Sequence, residues 1–191
     1  ARRAVETNYG HGTAELTLEA HTARAAFSYW EGRFATSLEH ILHARVLYDK
    51  AKHGHHCFVY GQDPLAYGYC YGALILWFQG YPDQAEESAT RALELAEETH
   101  HPLTFAGILS FVTDLYYHLR DPATFLGLAE RMSAVSTEQG LSLWGAWARS
   151  MIGSAKCNLG EQDEGIREIE AGLEAFSSTG AAANTSYLLA R

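Results

Sequence analysis

The sequence predicts an all-α fold, a right-handed α-solenoid of about four helical hairpins. Turn-forming residues recur at a step of 40, because Arg120 follows Gly80 and Gly160 follows Arg120 at that spacing (120 − 80, 160 − 120). A second marker, Gly140 and Gly180, keeps the same step (180 − 140). Helical patterns of apolar residues flank each turn. A periodic turn between helices is typical of stacked helical hairpins.

The first two helices are predicted from Thr13 to about residue 31 and from Phe34 to Tyr48, with Gly32 between them. Proline is tolerated in a first helical turn, and four prolines fall where a helix is predicted to begin. The further helices are predicted at 64–79, 82–99, 102–119, 122–138, 141–159 and 162–178. Another helix is expected to begin after Gly180.

Residues 1–12 are poorly patterned and are expected to form a separate N-terminal segment. The predicted solenoid domain therefore covers residues 13–191. The chain begins without Met and stops inside a helical pattern, so we expect it to be a fragment of a longer protein.

Composition and charge narrow the classes of function. The 191 residues are 47% hydrophobic and 19% charged, which is typical of a folded globular protein, and the net charge is −9. An acidic chain without a basic stripe is not expected to bind nucleic acid. Three cysteines without metal-ligand spacing fit a reduced, cytoplasmic protein, and no apolar run is long enough for a membrane span.

The turn from Gly80 to Ala85 reads Gly-Tyr-Pro-Asp-Gln-Ala. It resembles the turn of a tetratricopeptide (TPR) repeat, typically Gly-Asp-Tyr-x-x-Ala, at its glycine and alanine. The third turn departs from that pattern at Arg120 and Phe125. The 40-residue period also exceeds the TPR repeat of about 34 residues. The resemblance implies TPR-like hairpins with unusually long helices.

A broader resemblance covers roughly residues 15–190 and is carried by the segments 60–64, 76–85, 134–140 and 164–166. Together they are similar to the C-terminal helical repeats of bacterial signalling proteins that join a nucleotide cyclase domain to an ATPase module. The resemblance implies a sensor or scaffold region of such a protein. The chain itself carries no phosphate-binding loop, nucleophile elbow or zinc-protease motif, so we expect no enzymatic activity and no cofactor.

In TPR proteins the first helix of each hairpin lines a concave groove. Carried to this chain, the resemblance implies a groove of aromatic and polar residues: Tyr29, Trp30, Tyr67, Trp77, Phe78, Asp114, Tyr117, His118, Trp147 and Ser150. Such a set suits a peptide or a small ligand. Packing between helices is the alternative for each aromatic residue taken alone, and a structural hydrogen bond is the alternative for Asp114.

One connection interrupts the period, since the step from Gly32 to Gly80 is 48 and not 40 (80 − 32). The excess lies in residues 49–63, which are predicted to be irregular. The cluster His53, His55, His56 and Cys57 lies there. Imidazole and thiolate groups are zinc ligands, but no recognised metal-site spacing is complete, so a structural or solvated role is favoured over a metal site.

The expected function is protein–protein interaction or signal sensing within a larger bacterial regulator. The partner would be a protein, a peptide or another domain of the same chain, bound by the concave face. Small-molecule sensing in the aromatic groove and metal binding at the histidine-rich connection are the alternatives.

Overall fold

The structure is a computed structural model, and it describes residues 14–181. These residues form helices joined by short turns, with no β-strand among them. In chain order the helices are α1 (Ala14–Trp30), α2 (Phe34–Leu47), α3 (Lys50–His53), α4 (His56–Tyr60), α5 (Pro64–Phe78), α6 (Pro82–Glu98), α7 (Pro102–Leu119), α8 (Pro122–Glu138), α9 (Ser142–Asn158) and α10 (Gln162–Ser178). The predicted all-α class of sequential helical hairpins is confirmed.

The long helices pair as the turn spacing predicts, into hairpin 1 (α1–α2), hairpin 2 (α5–α6), hairpin 3 (α7–α8) and hairpin 4 (α9–α10). Their bounds agree with the predicted ones to within one or two residues. The N-terminal segment 1–12, the capping residue Thr13 and almost all of the helix expected after Gly180 lie outside the described residues. No helix within residues 14–181 combines the length and apolar character needed to cross a lipid bilayer.

The chain divides into two compact units, with the boundary inside α7 between Ile108 and Leu109. In the first unit, α1 packs against α2, α5 packs against both of them, and α6 packs against α5. In the second unit, α9 packs against α8 and α10. Within each unit, helices that are adjacent in the sequence are therefore neighbours in space, as an α-solenoid requires.

Left-handed residues end most of the long helices. Gly32, Gly80 and Gly160 have φ of 72°, 85° and 95°, a conformation that glycine adopts without a steric penalty. The amide of Gly32 donates to the carbonyl of Tyr29 at 2.9 Å, and the next amide donates to Ser28 at 2.8 Å. These bonds satisfy carbonyls that the helix end would otherwise leave open.

Small residues allow the two helices of a hairpin to approach closely. Ala44, Ala92 and Gly172 occupy equivalent buried positions of α2, α6 and α10, while hairpin 3 carries Met132 there. The closest approach is in hairpin 4, where a Cβ on Gly153 would lie 2.5 Å from the carbonyl oxygen of Gly165. Only glycine fits such a crossing.

The prediction that residues 49–63 are irregular is wrong, because they fold into α3 and α4. Asp49 caps α3, with its side chain accepting the amide of Ala51 at 3.0 Å. Gly61 ends α4 with φ of 77°. Asp63 then caps α5 by accepting the amides of Leu65 and Ala66. This segment, residues 49–63, is called the insertion below.

Candidate functional site

Aromatic side chains from α1, α2 and α5 meet at one end of the first two hairpins. The tight turn at Gly32 places the end of α1 beside the start of α2, and α5 packs against both helices. The rings are those of Tyr29, Trp30, Phe34, Tyr67, Tyr71, Trp77 and Phe78, here called the aromatic cluster.

Ring contacts connect the cluster. Tyr29 lies 5.1 Å from both Trp30 and Tyr71 between ring centroids, and 6.0 Å from Phe34. Phe34 stacks on Phe78 at 5.2 Å with an interplanar angle of 12°. Distances in this range are those of favourable aromatic pairs. The cluster therefore joins three helices through direct ring contacts.

The base of the cluster is buried and its top is exposed. Tyr67 and Tyr71 are buried, whereas Trp30 is 61% exposed and Phe78 is 47% exposed. Burial raises the pKa of Tyr71 to about 12 and raises the pKa of Tyr67 as well, so both hydroxyls stay protonated. The neighbouring Trp30 opposes part of this rise in the pKa of Tyr71. The exposed indole packs edge-on against Tyr29.

The structure brings together the five predicted groove residues of the first unit: Tyr29, Trp30, Tyr67, Trp77 and Phe78. Trp77 lies beside Phe78, with ring centroids 5.1 Å apart, and is half-buried. Sequence reasoning missed two members of the cluster. Phe34 begins a second helix and so was outside the first-helix positions that the resemblance implied. Tyr71 lies one turn after Tyr67, and that spacing could have identified it.

The predicted groove residues of the second unit are less accessible. Trp147 is 7% exposed and packs on Phe176 of α10, with ring centroids 5.8 Å apart. Ser150 is buried, and its hydroxyl donates to the carbonyl of Ala146 at 3.4 Å. Both side chains are engaged inside hairpin 4, which favours the packing alternative for them.

Hairpin 3 supplies the remaining predicted residues. Tyr117 packs on Phe125 of α8, with ring centroids 5.7 Å apart, and on His118 at 5.5 Å. Asp114, Tyr117 and His118 are all half-buried. Their part in a ligand groove stays a prediction.

The histidines of the insertion are mostly buried. His53, His56 and Cys57 are buried, and His55 alone of the four is exposed. His56 Nδ1 lies 2.6 Å from Glu19 Oε1 of α1, and His53 Nδ1 accepts the amide of Asp49 at 2.9 Å. The contact with Glu19 attaches the insertion to hairpin 1, whereas the contact between His53 and Asp49 lies within the insertion. Within residues 14–181, no three His, Cys, Asp or Glu side chains are placed so that they could hold a metal ion.

Burial dominates the electrostatics around this attachment. It raises the pKa of Glu19, although His56 opposes the shift, and it raises the pKa of Asp63. The hydroxyl of Tyr48 donates to Asp63 Oδ2 at 3.0 Å, and burial together with this carboxylate raises the pKa of the tyrosine. The four groups form two hydrogen-bonded pairs, each with one buried and one half-buried member.

A second histidine cluster joins α1 to α2. His40 and His43 lie three residues apart on α2, and His21 faces both of them from α1. His21 Nδ1 lies 2.8 Å from His40 Nδ1, and the rings of His21 and His43 are 4.9 Å apart. Burial and the neighbouring imidazoles lower the pKa of His21 to about 4, and burial lowers that of His40. Both rings are therefore neutral at neutral pH.

A cleft of about 370 Å³ lies between the insertion and α6 in the first unit. Its charged lining is already paired, because Lys50 Nζ lies 2.6 Å from Glu98 and Arg91 lies 4.0 Å from the same carboxylate. Tyr48, Leu65 and Leu95 supply apolar surface. The small-molecule alternative stays a prediction.

No protein-family model and no curated protein matches the chain. His56 and the other buried titratable groups have little contact with solvent, whereas the top of the aromatic cluster offers a surface that another molecule can reach.

Proposed function

We propose that this chain is a protein-interaction module that binds a partner polypeptide through the exposed top of its aromatic cluster. The observation that carries the proposal is the exposure of Trp30 and Phe78 above the buried rings of Tyr67 and Tyr71. A large apolar side chain at the surface of a folded protein contributes little to that protein's own stability. It is, however, available to be buried by a partner.

The chemistry of these side chains suits a binding surface. Tryptophan and tyrosine dominate the energetics of many protein interfaces, because one ring buries a large area at a small cost in conformational entropy. The ring of Trp30 is further restrained by its edge-on contact with Tyr29, at 5.1 Å between ring centroids. A side chain that is ordered before binding loses less freedom when the partner arrives.

The wider context is part of the same proposal. The turn from Gly80 to Ala85 and the four sequential hairpins support a TPR-like repeat. The segment resemblance supports a scaffold or sensor region of a larger bacterial signalling protein in the cytoplasm. In that setting the partner would be another protein or another domain of the same polypeptide.

A peptide-display selection on the immobilised 191-residue chain would test the proposal. We expect enriched peptides to bind the wild type, and the double change Trp30→Ala and Phe78→Ala to weaken them by at least about tenfold. Binding would be measured by fluorescence anisotropy, with circular dichroism to show that the variant remains helical.

The matched control is Phe58→Ala, which removes another exposed aromatic ring from α4. It should leave the affinity of the selected peptides unchanged. Enrichment of no peptide, or equal binding by the wild type and the double variant, would contradict the proposal.

A further inference from the structure

Arg45, in the last turn of α2, holds its guanidinium group over the ring of Tyr69 of α5. The central carbon of the group lies 3.8 Å from the ring centroid, which is a close cation–π contact. Both side chains are half-buried, and a Cβ on Gly72 would lie 3.7 Å from Arg45 Nη2. The hydroxyl of Ser88 on α6 donates to the carbonyl of Tyr69 at 2.9 Å. The guanidinium group is therefore fixed on the side of α5 that lies between α2 and α6.

The guanidinium group of Arg45 has no anionic partner among the residues that the structure describes. Its Nε is buried without a hydrogen-bond partner, and none of the ion pairs within residues 14–181 includes Arg45. Burial lowers the pKa of Arg45, and the phenol of Tyr69, not a carboxylate, opposes the shift. Since an arginine side chain is not deprotonated in proteins, the charge remains. An anion bound beside it would offset part of the cost of burying that charge.

The cleft of about 370 Å³ between the insertion and α6 lies next to this group. Its lining includes Leu65, which is four residues before Tyr69 and so lies on the same face of α5. Leu95 of α6 adds apolar surface. Arg91 also lines the cleft, and it lies near Tyr69, since Glu94 raises the pKa of Arg91 and Tyr69 adds to that shift. The cleft and the guanidinium group of Arg45 therefore share one groove over α5.

The carboxylates around this groove already have partners. Glu98 lies 2.6 Å from Lys50, and Glu94 lies 2.7 Å from Arg91. Asp63, buried at the start of α5, accepts two backbone amides and a phenol hydroxyl. A carboxylate from outside the chain can therefore bind Arg45 without breaking an existing pair.

We propose that Arg45 binds the carboxylate of a small ligand whose apolar part lies in the cleft beside Leu65 and Leu95. A carboxylate matches the terminal nitrogens of a guanidinium group with two parallel hydrogen bonds. Leu65 and Tyr69 are about one helical turn apart, about 5.4 Å, so the ligand needs a short linker between its carboxylate and its apolar group. A cleft of this volume is within the range of small-molecule sites.

This site is separate from the exposed rings of the aromatic cluster. Arg45 lies eleven residues after Phe34 (45 − 34), which is about 16 Å along α2. The double change Trp30→Ala and Phe78→Ala should therefore leave carboxylate binding unchanged, and the two proposals can fail separately.

Nuclear magnetic resonance on the 191-residue chain labelled with nitrogen-15, titrated with phenylbutyrate, would test the site. Phenylbutyrate carries an aromatic ring on a short aliphatic linker that ends in a carboxylate. We expect the amide signals of Gly54 and Gly72 to shift, because Gly54 lines the cleft and Gly72 lies beside Arg45. The signal of Gly160 in hairpin 4 should not move. Arg45→Gln should weaken binding by at least about tenfold.

Matched controls separate the charge from the apolar contact. Arg149→Gln removes an exposed arginine of α9 that pairs with Glu168, and it should leave the affinity unchanged. Phenylbutyramide lacks the charge and acetate lacks the ring, so each should bind at least about tenfold more weakly than phenylbutyrate. Circular dichroism would show that each variant is folded.

Four outcomes would overturn the proposal. They are the absence of phenylbutyrate binding up to about 10 mM, equal affinities of the wild type and Arg45→Gln, equal affinities for the carboxylate and its amide, and tighter binding of inorganic phosphate than of phenylbutyrate. Loss of binding in the double variant of Trp30 and Phe78 would place the probe at the aromatic cluster and would also count against the site at Arg45.

Discussion

At the scale of single residues, the contact between His56 and Glu19 joins the insertion to the first helix. The imidazole is 1% exposed, and the carboxylate lies 2.6 Å from it in a largely buried setting. A polar group in such a place is stable only while its partner is present, because neither group can turn fully to water.

We predict that His56→Ala lowers the free energy of unfolding by about 2 kcal/mol, since it leaves Glu19 without its partner and opens a space beneath α4. Urea denaturation followed by circular dichroism would measure the loss. His55→Ala, which removes the exposed neighbouring imidazole, should stay within about 0.5 kcal/mol of the wild type. Equal effects of the two changes would show that the buried contact is not stabilising.

The cluster of His21, His40 and His43 predicts a dependence of stability on pH. The folded chain holds the pKa of His21 at about 4, whereas a histidine of the unfolded chain titrates near 6.5. Between these values the unfolded state binds more protons, so the free energy of unfolding falls as the pH falls. Glu39 raises the pKa of His21 and so opposes this shift. Arg24 lowers the pKa of His40 and so adds to the shift of that residue.

We predict that His21→Gln reduces this acid sensitivity. Between about pH 7 and pH 5 the variant should lose about 1 kcal/mol less stability than the wild type. Urea titrations at a series of pH values would measure the difference, with His55→Gln as the control that keeps the wild-type slope. Parallel pH profiles for His21→Gln and the wild type would contradict the assignment.

At the scale of helices, the crossing of α9 and α10 is set by glycine on both sides. A Cβ on Gly153 would lie 2.5 Å from the carbonyl oxygen of Gly165 and 2.7 Å from the amide nitrogen of Ile169. Both are backbone atoms, so the clash can be relieved only by separating the helices. Gly127 in α8 is different, because no atom lies within 4 Å of a Cβ built there.

We predict that Gly153→Ala destabilises the chain by about 2 kcal/mol, because overpacking outweighs the better helix propensity of alanine. The matched change Gly127→Ala should stabilise the chain by about 0.5–1 kcal/mol, since alanine has the higher helix propensity and its Cβ would meet no other atom at that position. Chemical denaturation of both variants would test the pair. A stabilised Gly153→Ala variant would show that the two helices can separate at little cost.

The helices were predictable from the sequence to different degrees. Long helices with periodic turns could be placed to within one or two residues, because glycine and proline mark their ends. The short helices α3 and α4 could not, since a single helical turn is not stable alone and is held here by the burial of His56 and Cys57.

Only part of the candidate site could be predicted from the sequence. The first-helix register located Trp30 and Phe78, but it could not show that Trp147 packs within its own hairpin.

At the scale of the whole chain, left-handed residues recur at a step of about 20. His100, Arg120, Gly140, Gly160 and Gly180 all have positive φ and follow one another at this step (120 − 100, 140 − 120, 160 − 140, 180 − 160). Successive left-handed residues lie alternately in a turn between two hairpins and in a turn inside a hairpin. Two of the five positions hold residues with a side chain, although the conformation favours glycine.

We predict that Arg120→Gly raises the free energy of unfolding by about 1 kcal/mol, because glycine adopts φ of 58° without strain. The reciprocal change, Gly140→Ala, should lower it by a similar amount of about 1 kcal/mol, although a Cβ there would touch no other atom. Thermal unfolding of the two variants would show shifts of opposite sign. Shifts of the same sign would contradict the conformational explanation.

The insertion also affects the order in which the chain can fold. Most contacts of a helical hairpin join residues close in the sequence, and such local contacts form quickly. The pairing of Glu19 with His56 spans 37 residues, and it requires the chain to be complete as far as α4. On a ribosome, hairpin 1 would therefore emerge with the carboxylate of Glu19 unpaired. Its burial would be completed only when the nine residues from the end of α2 to His56 (56 − 47) had also left the exit tunnel.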